Sequence, residues 1–195
     1  MPNFWQSNQI RLRAIEPTDA ETFHRWNEDS DRARFLDFLW PPASLAATIA
    51  WTAEASKKRL ENDAYHWLIE TLDPIAVGSI ASHDCDPHSG VFSYGIDIAP
   101  EFRRKGYASQ AISLVLRYYF DQLRYQKCTV QVHSDNLASL ALHEKLGFQR
   151  EGVLRRMAYQ NGQYLDAIYL GLTIEEFHAL SRSGRQFTHT VEDTL

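Results

Sequence analysis

The sequence contains very little cysteine. Cys85 and Cys128 are its two cysteines, and they stand in unrelated contexts without the spacing of metal ligands. This scarcity excludes a disulfide-stapled scaffold and favours buried thiols in a reduced compartment. We therefore expect a cytoplasmic protein without a metal site.

Long apolar segments are also missing. No stretch approaches the ~20 apolar residues that a membrane-spanning helix needs. The opening residues, MPNFWQSNQIRLR, lack a basic segment followed by a long apolar run, so neither a signal peptide nor a membrane anchor is indicated. We expect no membrane partner.

An excess of basic charge is lacking as well. The formal net charge is -5 at pH 7, and the basic residues form one local cluster, Arg103 to Lys105. This balance argues against a broad nucleic-acid interface and favours a small anion as the partner of the cluster. The length and the 44% hydrophobic content predict one folded domain over residues 1–182, followed by a polar tail over residues 183–195.

What the sequence does contain is an alternation of strand and helix patterns. Strands are predicted in IRLRA, HWLIETL, IAVGSIAS, VFSYGIDI and CTVQVH. Thr18 and Glu21 have the spacing of a capping box that opens a helix, and Ser44 is placed to cap a second helix running to about Asn62. The pair Asn161-Gly162 predicts a tight turn between two further strands. This order indicates an α/β domain with a mixed sheet.

The stretch EFRRKGYASQA places a glycine and three basic residues directly before a helix. From Ala108 onward, apolar residues recur with the spacing of a helix buried along one side. The first turn of such a helix has N–H groups without intrahelical partners, at the positive end of the helix dipole. Gly106 would let the backbone approach a phosphate, and Arg103 to Lys105 would add positive charge around it. The alternative interpretation is a solvated basic turn.

A second polar group lies on one face of a short predicted helix in NLASLALHEKLGF. Asn136, Ser139 and His143 are spaced i, i+3, i+7, which places them within about 60° of one another on a helix. An amide can hold a ligand amide, a hydroxyl can bond a phosphate or thiol, and an imidazole can exchange a proton. The alternative is that Asn136 or Asp135 only caps the helix, with Ser139 and His143 as ordinary surface residues.

Together these motifs resemble the GNAT superfamily of N-acetyltransferases, and within it the RimJ/RimL-like branch. The resemblance covers nearly the whole chain, through IRLRAIEPTDAETFHRW, YGIDIAPEFRRKGYASQA and NLASLALHEKLGFQREGVLRRMAYQNGQYLDAIYL. It implies an α/β fold with a mixed, splayed sheet of about seven strands flanked by helices. Acetyl-CoA would lie in the gap between strands 91–98 and 127–133, and the implied reaction is acetyl transfer to a primary amine of a protein N-terminus or a small molecule.

The resemblance also implies which residues contact the cofactor. The backbone before the buried helix would hold the pyrophosphate, strand backbone would pair with the pantetheine, and two polar residues of the short helix would touch the cofactor. The complete set is Ile96, Ile98, Arg103, Arg104, Lys105, Gly106, Tyr107, Ala108, Ser109, Asn136 and Ser139. The expected partners are acetyl-CoA and an amine acceptor. No nucleic acid is expected to bind, and the resemblance is compatible with a homodimer.

The motifs leave the catalytic residues open. Many members of the family have a tyrosine, thought to protonate the leaving thiolate, where this sequence has His143. His143 and Ser139 are therefore competing candidates for the general acid. Asp97 and Glu70 are candidates for the general base, and a solvent-facing or ion-paired carboxylate is the alternative for each.

The stretch RFLDFLWPP occupies the place where the family builds its acceptor pocket. Phe35, Asp37 and Trp40 would there receive an apolar side chain and an ammonium group, or they form a hydrophobic staple between two helices. A different function is acyl-CoA binding as a sensor or scaffold without turnover, because the tyrosine is missing and no base is obvious. Thiol release from acetyl-CoA with a panel of amines separates the two functions.

Overall fold

The computed structural model describes residues 3–29, 41–58 and 62–182. Phe35, Asp37 and Trp40, predicted to line the acceptor pocket, lie outside these ranges, as does the tail after residue 182. Within the described ranges every helix is too short or too polar to cross a membrane. The same residues include no group of three or more His, Cys, Asp or Glu side chains arranged to hold a metal ion.

A seven-stranded sheet forms the centre of the described chain. Its strands are β1 (Ile10–Ala14), β2 (His66–Thr71), β3 (Ala76–Asp86), β4 (Val91–Ile98), β5 (Lys127–His133), β6 (Gln149–Gln160) and β7 (Gln163–Thr173). In space they follow the order β1-β2-β3-β4-β5-β7-β6. Neighbouring strands are antiparallel except β4 and β5, which are parallel. The mixed sheet confirms the predicted fold class.

Helices cover both faces of the sheet. They are α1 (Ala20–Asn27), α2 (Leu45–Lys57), α3 (Tyr107–Arg117), α4 (Leu137–Lys145) and α5 (Ile174–Arg182). The predicted apolar stripe of α3, including Ile112 and Val115, is buried in the main core together with Phe92 of β4. On the other face, Phe23 of α1 and Leu68 of β2 belong to a smaller core. Each such buried side chain contributes roughly 1.5–3 kcal/mol to stability.

The start of α1 differs from the prediction. The capping box is formed by Glu16 and Asp19, with the Glu16 N–H donating to Asp19 Oδ2 at 2.8 Å. The box predicted at Thr18 and Glu21 is therefore wrong. Its displacement has a physical cause, because Pro17 begins a 3-10 turn that precedes the α-helix.

The start of α2 agrees with the sequence, but its end does not. Ser44 accepts the N–H of Ala47 at 3.1 Å and caps the helix as predicted. The helix ends at Lys57 because Lys58 adopts extended backbone. Asn62, the expected end, has a left-handed φ of 49°.

The hairpin of β6 and β7 turns where the sequence predicts. Asn161 and Gly162 have φ values of 50° and 80°. Two successive residues with positive φ are what a type I′ turn requires, and the Asn-Gly pair is the commonest sequence that adopts it. The turn prediction is confirmed.

Helix α5 was not predicted. It follows β7 directly and buries Phe177. Thr173 and Glu176 form a capping box at its start, in which the Thr173 N–H donates to Glu176 Oε2 at 2.8 Å and the Glu176 N–H donates to Thr173 Oγ1 at 3.3 Å. The T-x-x-E signature was thus present, but it overlaps the end of a strand with no loop to separate the two elements.

Candidate active site

Strands β4 and β5 separate after a short parallel ladder. Their last pair is Ser93 opposite Thr129. β4 continues to Ile98 and β5 to His133, and the ladder does not extend along these segments. The sheet therefore contains a gap that opens toward the carboxyl ends of both strands, between the two strands that the sequence indicated.

The backbone of β4 presents hydrogen-bonding groups to this gap. Ala99 donates its N–H to the Val77 carbonyl of β3 at 2.9 Å. Successive residues of a strand point their backbone groups to opposite sides, so the groups of Ile96 and Ile98 face the β5 side. An extended chain that carries amides can form strand-like hydrogen bonds there.

Two helices begin at the open end of the gap. Because β4 and β5 are parallel, the segments that follow them leave from the same edge of the sheet. One leads to α3, which begins at Tyr107, and the other to α4, which begins at Leu137. Ligands of sheets with parallel strands commonly bind outside the carboxyl ends of the strands.

The N-terminus of α3 is open to an anion. Gly106 is the N-cap residue with a φ of 82°, and it has no side chain to accept the N–H groups of the first turn. A Cβ atom at Gly106 would have only Gln110 Nε2 near it, at 3.8 Å, so the space in front of the helix is free. Ser7 Oγ donates to Gln110 Oε1 at 2.7 Å and holds that side chain beside the turn. Arg104 also adopts a left-handed φ, of 63°.

The three basic residues before α3 have different environments. Arg104 and Lys105 are exposed, and Lys105 Nζ lies 5.1 Å from the centre of the Phe102 ring. Arg103 is half-buried, and its Nε donates to the Ile98 carbonyl at 3.0 Å. Arg103 therefore braces the turn against the end of β4, while the next two residues place positive charge at the surface.

The cap interpretation of Asn136 is correct. Its Oδ1 accepts the N–H of Ser139 at 3.1 Å, in the first turn of α4. Ser139 itself is half-buried. Contact of either side chain with a cofactor stays a prediction.

His143 is buried, so its interpretation as a surface residue is wrong. Its exposed fraction is 3%. The ring stacks on Tyr94 of β4 with centroids 5.8 Å apart and meets Phe148 edge to face at 5.1 Å. Nδ1 lies 2.8 Å from the Ser139 carbonyl oxygen and 3.3 Å from Ser139 Oγ. Burial lowers the pKa of His143, so its imidazole is neutral near pH 7 and the protonated form that would act as a general acid is scarce.

The two candidate bases have different surroundings. Glu70 is ion-paired with Arg11 at 2.5 Å and with Arg13 at 3.1 Å. It is therefore the ion-paired carboxylate that the sequence allowed as an alternative to a base, and this pairing favours a structural role. Asp97 is buried near the carboxyl end of β4 and, by strand alternation, lies on the sheet face opposite Tyr94. Of the two carboxylates, Asp97 is the one on a strand that borders the gap.

We expect Glu70→Gln to weaken folding more than catalysis. Removing one partner of a buried ion pair costs about 3–5 kcal/mol, and the partial exposure of Arg11 and Arg13 reduces this to about 1–3 kcal/mol. Urea denaturation and kcat would be measured on the same preparation. A large loss of kcat with an unchanged free energy of unfolding would place Glu70 in the catalytic site instead.

His66 lies beside the site, and no sequence pattern indicated it. It pairs with Ala81 of β3, which pairs with the exposed Gly95 of β4, so the three residues form one row across the sheet. The His66 ring lies 6.2 Å from that of Phe23 and 5.7 Å from that of Trp51. A histidine at the start of a strand does not by itself indicate a functional site. Only the pairing of three strands places His66 in the same row as the gap.

His66 is expected to make the protein sensitive to mild acid. Burial lowers its pKa from 6.5 to about 4. Between these values the unfolded chain binds a proton that the folded chain does not, so stability is full above pH 6.5 and falls as the pH drops toward 4. Urea midpoints measured from pH 7 to pH 4.5 should decline, and His66→Gln should flatten the decline. An equal decline in both proteins would contradict this.

Comparison with known proteins also indicates an acetyltransferase. A family described as acetyltransferase (GNAT) domain matches residues 9–149. The SPbeta prophage-derived uncharacterized N-acetyltransferase YokL of Bacillus subtilis is 38% identical over 174 residues, which cover 89% of this chain and 95% of YokL. The putative ribosomal N-acetyltransferase YdaF of the same organism is 28% identical over 174 residues, 88% of this chain and 94% of YdaF.

A solved structure shares the fold. Spermidine N-acetyltransferase from Vibrio cholerae, in complex with CoA and spermine, superposes with a TM-score of 0.75 at 23% identity, covering 87% of this chain and 98% of that chain. The family match spans more than half of the sequence, and the similarity to YokL spans most of it. The chain therefore belongs to the GNAT family and is an N-acetyltransferase.

Proposed function

We propose that this protein transfers the acetyl group of acetyl-CoA to a primary amine in the gap between β4 and β5. The observation that carries the proposal is the meeting of three features at one edge of the sheet. These are the backbone of β4 beyond the ladder, the open N-terminus of α3 at Gly106, and the polar first turn of α4. They suit the amide-containing pantetheine, the pyrophosphate and the thioester of the cosubstrate.

The pyrophosphate would bind at the turn before α3. Backbone N–H groups from Arg104 to Ser109, including those of Tyr107 and Ala108, are directed by the start of the helix, and the helix dipole favours negative charge there. Arg104 and Lys105 would add surface charge, while Arg103 acts by holding the turn. Ile96 and Ile98 would pair with the pantetheine, and Asn136 and Ser139 would lie near the thioester.

An ammonium acceptor loses two protons on its way to the amide, one before it attacks and one that balances the proton delivered to the sulfur. A primary amine has a pKa near 10, so it must lose a proton to become a nucleophile. We assign this step to Asp97, acting directly or through water from the α1 face of the sheet. When the tetrahedral intermediate breaks down, the C–S bond cleaves and the thiolate needs a proton. We assign its delivery to Ser139, since His143 is buried and neutral.

The finer placement of the enzyme is in the RimJ/RimL-like branch, supported by the similarity to YdaF. The acceptor is either the amino terminus of a protein, as the name of YdaF suggests, or a polyamine, as the complex of the Vibrio cholerae enzyme suggests. Both present a primary amine. By family resemblance, the acceptor pocket would be lined by Phe35, Asp37 and Trp40.

The experiment that tests the proposal measures thiol release from acetyl-CoA. The panel should contain spermidine, peptides with free amino termini and a lysine-containing peptide with a blocked terminus. We expect saturable release with at least one of these classes and an acetylated product by mass spectrometry. Tight binding of acetyl-CoA with no release above hydrolysis for every amine would favour the sensor function instead.

A further inference from the structure

The hydrogen bond of His143 determines which of its nitrogens carries the proton. Nδ1 lies 2.8 Å from the carbonyl oxygen of Ser139. A carbonyl oxygen only accepts hydrogen bonds, so Nδ1 must be the protonated nitrogen. In a neutral imidazole the other nitrogen, Nε2, then has no proton.

This tautomer fixes the direction of the Ser139 hydroxyl. Ser139 Oγ lies 3.3 Å from the same Nδ1, so its lone pair faces an N–H group. The serine therefore cannot donate its proton to His143 and keeps it for another acceptor. With the proton on Nε2 instead, Nδ1 would accept the serine proton and compete with a thiolate for it.

Tyr94 packs against the imidazole in this buried setting. It is the first β4 residue after the last pair with β5, and its ring stacks on His143 at an interplanar angle of 25°. His143 Nε2 and Tyr94 Oη are both buried and have no hydrogen-bond partner among the described residues. A second proton on Nε2 would create a buried cation without a partner, which is costly. In the described part of the chain the ring contacts Tyr94, Phe148 and Ser139, and of these three residues Tyr94 is the one with a phenol that could ionise.

We propose that Tyr94 and His143 are positioning residues that orient Ser139 as the proton donor to the departing thiolate. The proposal rests on the proposed acetyl transfer. It adds the contacts that leave the proton of the serine hydroxyl available to the thiolate. In the step, the Ser139 O–H bond breaks as the S–H bond forms. The first proton of the ammonium goes to Asp97, and the second, which the nitrogen loses as the amide forms, returns to Ser139 Oγ, so the serine is regenerated.

A matched series at His143 tests the positioning role. Asn places its amide nitrogen where Nδ1 lies, Gln places it where Nε2 lies, and Phe keeps the ring without any N–H. We expect His143→Asn to keep kcat within about tenfold of the parent. His143→Gln and His143→Phe should lose about 10²-fold or more, since correct placement of an acid contributes ~10² to 10⁴ in rate. The KM for acetyl-CoA should change little in all three.

The pH profile separates positioning from acid catalysis. A positioning His143 gives profiles of the same shape for the parent and His143→Asn from about pH 5 to pH 8. If the parent loses rate as the pH rises through the lowered pKa of His143, below 6.5, and this inflection disappears in His143→Asn, the histidine is the acid and the proposal is wrong. Tyr94→Leu should lower kcat, and Tyr94→Phe should restore much of it, because the stack is what holds the ring.

A direct measurement does not depend on any variant. Long-range ¹H–¹⁵N spectra of the folded parent at pH 7 should show His143 protonated at Nδ1 alone. An Nε2–H tautomer or an imidazolium would overturn the proposal even if the enzyme is active. Absence of thiol release by the parent would instead overturn the proposed function, so the two failures are distinguishable.

Discussion

Gly106→Glu is expected to abolish measurable acetyl-CoA binding while the protein stays folded. The glycine is the N-cap of α3, and the space that its missing side chain leaves is where a phosphate can reach the first-turn N–H groups. A glutamate would fill that space, and its carboxylate would itself accept the N–H groups and repel the pyrophosphate. Isothermal titration calorimetry with acetyl-CoA measures the loss, which we expect to exceed 100-fold in Kd.

A second glycine provides the matched control. Gly162 has a φ of 80°, close to the 82° of Gly106, and a Cβ atom there would also enter open space. A side chain in this left-handed conformation costs roughly 1–2 kcal/mol at either position. Gly162→Glu should therefore lose a similar amount of stability and keep its affinity for acetyl-CoA. If a folded Gly106→Glu protein bound acetyl-CoA with the affinity of the parent, the assignment of the pyrophosphate to this turn would be wrong.

Ser139→Ala is expected to lower kcat by ~10² to 10⁴, because the thiolate would leave without the proton donor that we propose for it. The KM for acetyl-CoA should rise far less, since in the proposed complex the hydroxyl would make one contact among many. Single-turnover rates with saturating acceptor and acetyl-CoA measure the chemical step without product release. A serine that only contacts the cofactor would give the opposite pattern, with KM raised and kcat kept.

Ser113 serves as the control for Ser139. It is also half-buried in a helix, and its Oγ donates to the Ser109 carbonyl at 2.8 Å. Ser113→Ala thus removes a serine hydroxyl that bonds within its own helix. Its kcat and KM should stay close to those of the parent, and a comparable fall in kcat would show that the Ser139 effect is not specific.

The sequence predicted most of the fold because the signals were local and strong. The strand alternation at β4, the apolar stripe of α3 and the Asn161-Gly162 turn each depend on residues close together in the chain. The cap of α1 was misplaced because two overlapping boxes compete and Pro17 decides between them. Helix α5 was missed since its cap lies at the end of β7.

The site was predictable only in part. Its two helix starts, at Gly106 and Asn136, have local signatures that the structure brings to one edge of the sheet. The environment of His143 depends on Tyr94, which is 49 positions earlier in the chain and meets it only through the packing of α4 on β4. The pairing of Glu70 with two arginines likewise needs the register of β1 on β2. Such contacts set the surroundings of a side chain without leaving a pattern in the sequence.

A crystal structure with CoA bound tests the central claim most directly. The account predicts the pyrophosphate at the N–H groups of residues 104–109, the pantetheine along Ile96 and Ile98, and the sulfur within about 3.5 Å of Ser139 Oγ. CoA bound outside the gap between β4 and β5, or a sulfur remote from α4, would contradict it.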